Sequence, residues 1–407
     1  MILLKPILAC NNNCAYCYQK GYRHFMCNIK YDIDKMLKVA TEIYNECRKK
    51  EPTEIVLHGG EPLLLPNKDL EAFLKFAYRL TGWSSVVTNG LLIDDEKIKI
   101  FKKYKATVSI SLDGFPHMNI PRMPPEKTEI VMKNIETLIQ EGIPVSVMAV
   151  LHKYNANKDD LLKFITWCKD IGVFGVLFNY CKTEEAKHLE LPPEILGDLY
   201  IYLVKLQTII GYSIYPVTYF VQNLSGSQVL NDCYMAMCDP FCTERAWSVY
   251  GDGSVGNCCV TENITPLFNR AKEPSYERYM VLQKIPISEG GCKGCRYWNY
   301  CYGGCPCTAD DWRKKDKQCI AFYKVYSYVE ENLRSIMSSM DLEYNLNTEM
   351  KKIEDKPVHR VVYRHKNVRL NGVRKTTVNG ITMIEYPDRV EVIYKCPKLQ
   401  ICNSNIK

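Results

Sequence analysis

The sequence has no long apolar run. Stretches such as Val145–Leu151 are far shorter than the ~20 residues a membrane-spanning helix needs, so no membrane segment is expected. The opening MILLKPILACNNNC has neither an apolar h-region nor a small-residue cleavage site, so a cytoplasmic protein is expected rather than a secreted one. There is no internal repeat. Neither sign of charge dominates: 53 Lys+Arg against 46 Asp+Glu gives a net charge of +7 over 407 residues, which permits an acidic partner without demanding nucleic acid. A zinc-bound nucleic-acid module would need basic stripes around its cysteine loops, yet Asp239, Glu244 and Asp252 sit among them, so no nucleic-acid partner is expected.

What is present is a globular composition and an excess of cysteine. Hydrophobic residues make up 46% and charged residues 24%, which excludes a disordered or fibrous chain and allows a large core. The length suits two or three domains of roughly 100–200 residues each. The 20 cysteines are too many to ignore. In a reducing compartment, clustered cysteines hold metal more often than they pair as disulfides.

Up to about residue 180, short β-like runs alternate with helical patterns. Strands are expected at 2–8, 54–58, 84–88, 106–111, 145–151 and 173–179. Between them, Ile33, Met36, Leu37, Ala40, Ile43, Tyr44 and Cys47 share one helical face, and further helices are expected near 67–80, 94–104, 127–142 and 157–171. Six βα units in series imply an α/β fold with a parallel sheet, open or closed into a partial barrel, whose ligands gather at the carboxyl ends of the strands. A helix near 192–210 leads to a loop-rich stretch, 233–319, that holds 11 of the 20 cysteines in 87 residues. An amphipathic helix over 320–337 follows, then a polar linker near 341–356. The last ~50 residues alternate in period two, with Asn-Gly at 371–372 and 379–380, as expected of a small β appendage. The expected divisions are 1–185, 186–232, 233–340 and 341–407.

Cys10, Cys14 and Cys17 follow the first strand, at its carboxyl end. Three thiolates in eight residues can bind three irons of a cubane cluster, leaving the fourth iron open to a small chelating molecule. Zinc with a remote fourth ligand is the competing reading, although structural zinc more often uses paired knuckles and four protein ligands.

CNNNCAYC, with Tyr16 before its third cysteine, resembles the signature of the radical S-adenosylmethionine (SAM) superfamily. LHGGEP at 57–62, VTNG at 87–90 and SLDG at 111–114 also resemble that family's motifs at successive strand ends. The resemblance implies a partial (β/α)6 barrel of the TIM type. It implies that Cys10, Cys14 and Cys17 hold a [4Fe–4S] cluster whose open iron takes the methionine end of SAM. Gly59 and Gly60 let backbone approach a ligand, and Glu61, followed by Pro62, offers an acceptor for the SAM ammonium group. Thr88 and Asn89 are placed at the ribose, Ser111 and Arg122 at the carboxylate, and Val176 near the adenine. His58 reads as a satisfied core histidine.

The second cysteine field runs Cys292-x2-Cys295-x5-Cys301-x3-Cys305, then Cys319. Upstream stand Cys233, Cys238 and Cys242-x10-Gly253-x4-Cys258. Eight thiolates suffice for two four-cysteine centres, of zinc or of iron and sulfide. The pattern resembles the SPASM domain, an auxiliary-cluster module of some radical SAM enzymes. That resemblance assigns Cys292, Cys295, Cys301 and Cys319 to one [4Fe–4S] cluster. It assigns Cys242, Cys258 and Cys305 to another, with Cys238, Cys233 or an open position as the fourth ligand. Three clusters in all are implied. Cys27, Cys47, Cys168, Cys181, Cys307, Cys396 and Cys402 read as small hydrophobes.

By resemblance the chain is an oxygen-sensitive radical SAM oxidoreductase that matures a peptide or protein. The most plausible product is a Cys thioether or another cross-link in a ribosomally made peptide, with flavodoxin or ferredoxin as electron donor. The layout is similar to the anaerobic sulfatase maturases, but those carry an Asp where this sequence has Cys259, directly after GSVGNC. Cys259 reads as a candidate base, hydrogen donor or alternate ligand, or as a buried thiol. Formylglycine formation, small-molecule dehydrogenation and a non-catalytic iron–sulfur scaffold are the alternatives. The β appendage reads either as a dock for an extended precursor by strand addition or as a stabilising cover.

Overall fold

The computed structural model describes residues 1–20, 30–47, 53–181, 184–226, 247–256, 277–305, 308–309 and 314–339, together with four strands between 358 and 395. Cys27, Cys233, Cys238, Cys242, Cys258, Cys259, Cys307, Cys396 and Cys402 lie outside these residues, as do Asn371-Gly372 and Asn379-Gly380.

Six parallel strands stand in sequential order: β1 (Ile2–Lys5), β2 (Ile55–Leu57), β3 (Ser84–Thr88), β4 (Ala106–Ser111), β5 (Val145–Leu151) and β6 (Val176–Tyr180). The connecting helices are α1 (Ile33–Cys47), α2 (Asn67–Thr81), α3 (Asp95–Lys103), α4 (Pro125–Gln140) and α5 (Lys158–Ile171). Their ends follow local chemistry. Asp94 accepts from the Lys97 amide at the start of α3, Asn157 accepts from the Asp159 and Asp160 amides at the start of α5, and left-handed Gly82 and Gly172 close α2 and α5. The expectation of a partial (β/α)6 barrel with an open parallel sheet therefore holds.

The sheet is wider than six strands. The short β7 (Ile214–Tyr215) extends it beyond β6, and β8 (Trp247–Tyr250) pairs in parallel with β1 at the other side. A hairpin to β9 (Val255–Gly256) completes nine strands. Sequence reading missed β7 and β9 because two residues carry no periodicity.

Along β4, β5 and β6 burial alternates strictly. Val108, Ile110, Val147, Ala149, Val176 and Phe178 are fully buried in the main core. Ser109, Ser111, Ser146, Met148, Leu177 and Asn179 point the opposite way and stay half-buried, with the hydroxyls of Ser109 and Ser146 2.8 Å apart. Two consequences follow from this period-two geometry. One face of the sheet is a dry core, and the other presents Ser109, Ser111, Ser146 and Asn179, with Met148 and Leu177 among them, to a more open space.

Beyond the barrel, α6 (Pro193–Ile210) and α7 (Val217–Ser225) pack against α10 (Cys319–Ser339). Between them lie α8 (Glu277–Lys284) and the four-residue α9 (Trp298–Cys301). Phe220, Tyr326 and Phe322 form a ring cluster at the packing of α7 on α10, and Asn223 donates to the Tyr326 hydroxyl at 3.0 Å. The appendage is an antiparallel sheet in the order β10 (Val358–Arg364), β13 (Arg389–Lys395), β12 (Ile381–Glu385), β11 (Arg374–Val378). Val378 pairs with Ile381 at the end of the β11–β12 ladder.

Candidate functional site

The cysteine loop leaves the carboxyl end of β1, where GGEP at the end of β2 runs beside it. The Gly60 amide donates to the Ile7 carbonyl at 2.9 Å and the Glu61 amide to the Ala9 carbonyl at 2.8 Å. A Cβ on Gly60 would stand 2.2 Å from the carbonyl oxygens of Leu8 and Ala9, and one on Gly59, which sits at φ +148°, would stand 2.4 Å from that of Ile7. Glycine is therefore required because one backbone lies directly on another. Gly60→Ala is expected to push the loop out of place, with a stability loss on the order of 2–3 kcal/mol. Thermal melting of the metal-free protein checks this.

Cys10, Cys14 and Cys17 are half-buried on this loop. The Asn12 amide approaches the Cys10 sulfur at 3.4 Å, the Asn12 side-chain amide approaches Cys14 at 3.4 Å, and that of Asn89 approaches Cys10 at 3.8 Å. Burial pushes the Cys14 thiol up to about 11, aided by the neighbouring Cys17 and opposed by Arg122. A thiolate there needs a positive metal centre, and the three donors aimed at sulfur are the kind of partners that tune metal-bound thiolates. Beside the loop is a cavity of about 450 Å³, with Cys10, Asn11, Asn13, Arg122, Met123 and Lys127 in its wall. The chemistry of this donor set fits a three-thiolate cluster with a small molecule against it.

Glu61, the expected ammonium acceptor, already has partners within the chain. It is fully buried, and its carboxylate accepts from the Leu63 amide at 3.0 Å, the Thr88 hydroxyl at 2.7 Å and the Asn89 amide at 2.7 Å. Burial raises its pKa, while these three donors work against the rise. Thr88 is spent on the same bond, so these two residues tie the end of β2 to that of β3. Pro62 opens the one-turn 3-10 helix that Glu61 caps. Asn89 keeps its side chain at the loop, donating to Asn11 at 2.7 Å. Ser111 lies on the open face of the sheet. Val176 does not: strand alternation turns it into the dry core, and Leu177 takes the open face instead.

Arg122 is held rather than free. Its Nε and Nη2 reach one oxygen of buried Asp113 at 3.1 and 2.9 Å, and its guanidinium carbon lies 5.5 Å from the centre of the Tyr16 ring. The opposing charge keeps Asp113 down at about 2 against the desolvation that would raise it. Asp113 lies within the SLDG motif, yet nothing in the sequence marked it or His152 as partners. They meet only because the ends of β4 and β5 are neighbours.

His58 is satisfied as expected, its Nδ1 accepting from the Gly59 amide at 2.7 Å. Burial and nearby Lys5 push it down to about 3. A histidine with a depressed folded pKa stabilises fully above its unfolded pKa of about 6.5, and that contribution shrinks as pH falls toward 3. Metal-free protein is expected to lose stability across this window, and His58→Gln to flatten the slope in denaturant titrations at several pH values.

In the C-terminal field the structure brings together Cys292, Cys295, Cys301 and Cys319. Burial drives the Cys301 thiol well up, and the thiols of Cys319, Cys292 and Cys295 add to the rise. Cys319 is pushed up to about 11, chiefly by burial. Among the described residues no three His, Cys, Asp or Glu side chains converge on a single ion. Cys305 is buried nearby, its amide donating to Asp316 at 3.0 Å. Sequence reading overlooked Asp316, which also accepts from the Tyr180 hydroxyl at 2.7 Å and the Gln318 amide at 2.7 Å. One buried carboxylate thus joins the cysteine loop to β6. Cys47, Cys168 and Cys181 are buried apolar thiols, as expected.

Residues 4–165 match the radical SAM superfamily. The chain is 27% identical over 226 residues to an uncharacterised protein of Methanocaldococcus jannaschii, covering 51% of this chain and 74% of that protein. Its fold is similar to that of anSMEcpe, an anaerobic sulfatase maturase, solved with AdoMet and the Cp18Cys peptide: TM-score 0.65, 20% identity, 84% of this chain and 99% of that one. It is also similar to that of Streptococcus suis SuiB bound to its precursor peptide SuiA, at TM-score 0.54 and 14% identity over 79% and 75% of the two chains. No helix among the described residues is long and apolar enough to cross a membrane.

Proposed function

We propose that this chain is a radical SAM maturase that oxidatively modifies a peptide or protein, forming a Cys thioether or another cross-link. The observation that carries the proposal is the cysteine loop of residues 10–17, seated on the GGEP backbone at the carboxyl end of a parallel sheet. The match of residues 4–165 to the radical SAM superfamily supports the chemistry. Fold likeness to two peptide-bound enzymes over about four-fifths of the chain supports the substrate class.

In this reading Cys10, Cys14 and Cys17 hold a [4Fe–4S] cluster, and SAM lies against it. With flavodoxin or ferredoxin as electron donor, such a cluster would supply one-electron chemistry, splitting SAM into methionine and a 5′-deoxyadenosyl radical able to take hydrogen from substrate. The chain's own part is positioning and exclusion of water. Gly59 and Gly60 set the loop height, Asn12 and Asn89 direct N–H groups at the sulfurs, and Ser109, Ser111 and Ser146 give the open face of the sheet a polar surface for peptide. Cys292, Cys295, Cys301 and Cys319 would hold one auxiliary cluster. Cys242, Cys258 and Cys305, with Cys238, would hold another, as electron acceptors for the substrate radical. The proposed divisions are a barrel over 1–185, a helical bridge over 186–232, an auxiliary-cluster domain over 233–340 and a linker with the β sheet over 341–407.

The β sheet supports a peptide partner in a second way. Among the described residues its outer strands β10 and β11 each pair on one side only, which leaves backbone for an added extended strand.

The likeness to a sulfatase maturase favours a second product, formylglycine. Cys259, standing where those enzymes carry Asp, weighs against it. One experiment separates the readings. Reconstituted protein is incubated anaerobically with SAM, dithionite and either Cys-rich peptides encoded nearby or a sulfatase-derived Cys peptide. Formation of 5′-deoxyadenosine, with a cross-linked peptide lighter by two hydrogens, supports the maturase. A hydrazide-reactive aldehyde would instead mean formylglycine. Reduced clusters that leave SAM intact would overturn the proposal.

A further inference from the structure

The buried carboxylate of Asp113 organises more than Arg122. Two residues past β4, it accepts five hydrogen bonds. One oxygen takes both Arg122 contacts and the Val150 amide at 2.8 Å, and the other takes the Tyr16 hydroxyl and His152 Nε2 at 3.2 Å. His152 is fully buried, and its Nδ1 accepts from the Tyr154 amide at 3.3 Å, which places the ring proton on Nε2, toward Asp113. The main chain at Asp113 is engaged too. Its amide donates to Asn119 at 2.9 Å and its carbonyl accepts from Asn155 at 3.0 Å.

The partners point one way. Tyr16 stands between Cys14 and Cys17. The Ala15 amide donates to the Pro121 carbonyl at 2.7 Å, and the Asn12 side chain donates to the Arg122 carbonyl at 3.0 Å, so the cysteine loop is clamped to the turn that begins at Asp113. Arg122 in turn forms part of the cavity wall beside Cys10. A buried ion pair kept for stability alone has no need to reach the loop and the cavity together, and such pairs contribute little net stability.

We propose that Asp113 is a positioning residue for the cofactor site. Through Tyr16 it fixes the cysteine loop, and through Arg122 it fixes the cavity wall, so that cluster and SAM are held in register. The inference rests on the radical SAM reading above.

The test uses the full-length reconstituted protein and the variants Tyr16→Phe, Asp113→Asn and their combination. Three quantities are read: SAM affinity by equilibrium dialysis, the change that SAM makes in the EPR signal of the reduced protein, and the melting temperature without metal. Tyr16→Phe deletes one hydroxyl and is expected to melt close to the parent. It should still weaken SAM on the order of tenfold and alter the SAM-dependent EPR line shape. Asp113→Asn is expected to weaken SAM further, and the double variant no more than Asp113→Asn alone, since Tyr16 acts through Asp113. SAM affinity and line shape unchanged in Tyr16→Phe would overturn the proposal, even if Asp113→Asn fails to fold. Strictly additive losses would overturn it as well. If the parent protein itself gives no SAM-dependent signal, the radical SAM reading fails and this inference falls with it.

Discussion

Cys14→Ala is expected to abolish SAM cleavage while leaving most of the metal in place. Cys14 is the middle residue of the triad, and its sulfur receives the Asn12 side chain at 3.4 Å. A cubane held by only two thiolates loses both a ligand and its seat. With the three clusters proposed above, the iron content should fall by about four of about twelve atoms per chain, because the C-terminal cysteines are untouched. Production of 5′-deoxyadenosine under dithionite should drop to the level of a protein-free control. The melting temperature of the metal-free protein should hardly move, since a half-buried thiol contributes little packing. Iron and sulfide counts, with chromatography of the nucleoside, check all three points. Residual SAM cleavage at the parental rate would show that another centre performs it.

Asp316→Ala is expected to do the reverse. Asp316 is only 1% exposed and accepts from Tyr180, Cys305 and Gln318, while its own carbonyl accepts from the Cys319 amide at 3.0 Å. Removing the carboxylate takes one acceptor from three buried donors, of which the Tyr180 hydroxyl still has Thr308 at 3.4 Å, so a loss on the order of 3 kcal/mol is expected. It also frees the loop carrying Cys305 from β6. Iron should be lost from the C-terminal field and the melting temperature should fall, while the triad and its SAM cleavage persist. Asp316→Asn should recover only part of the loss, because its amide nitrogen presents hydrogens to a group that is itself a donor. Metal analysis and calorimetry on the same preparations decide the matter. Full retention of C-terminal iron in Asp316→Ala would mean that this carboxylate does not hold the field together.

Much of this protein is determined by its sequence alone, for physical reasons. Parallel strands joined by amphipathic helices must bury one side of each helix, so hydrophobic spacing alone locates six strands and their crossovers to within a few residues. Cysteine spacing is equally local. Residues 10, 14 and 17, or 292, 295 and 301, are brought together by the loop or turn that carries them, and GGEP needs glycine because one backbone rests on another.

Only the tertiary structure decided what each polar side chain binds. Glu61 and Thr88 carry hydrogen-bonding groups that a motif can assign to a ligand, but neighbouring strand ends direct them at each other. Val176 and Leu177 are interchangeable in composition, and strand parity alone sends Val176 into the core. Asp113 gathers Tyr16, Arg122 and His152 from positions separated by 97, 9 and 39 residues, and Asp316 reaches Tyr180 across 136. No periodicity encodes such partners. A buried carboxylate must find donors wherever the packed chain offers them, and that choice is made by the sheet as a whole.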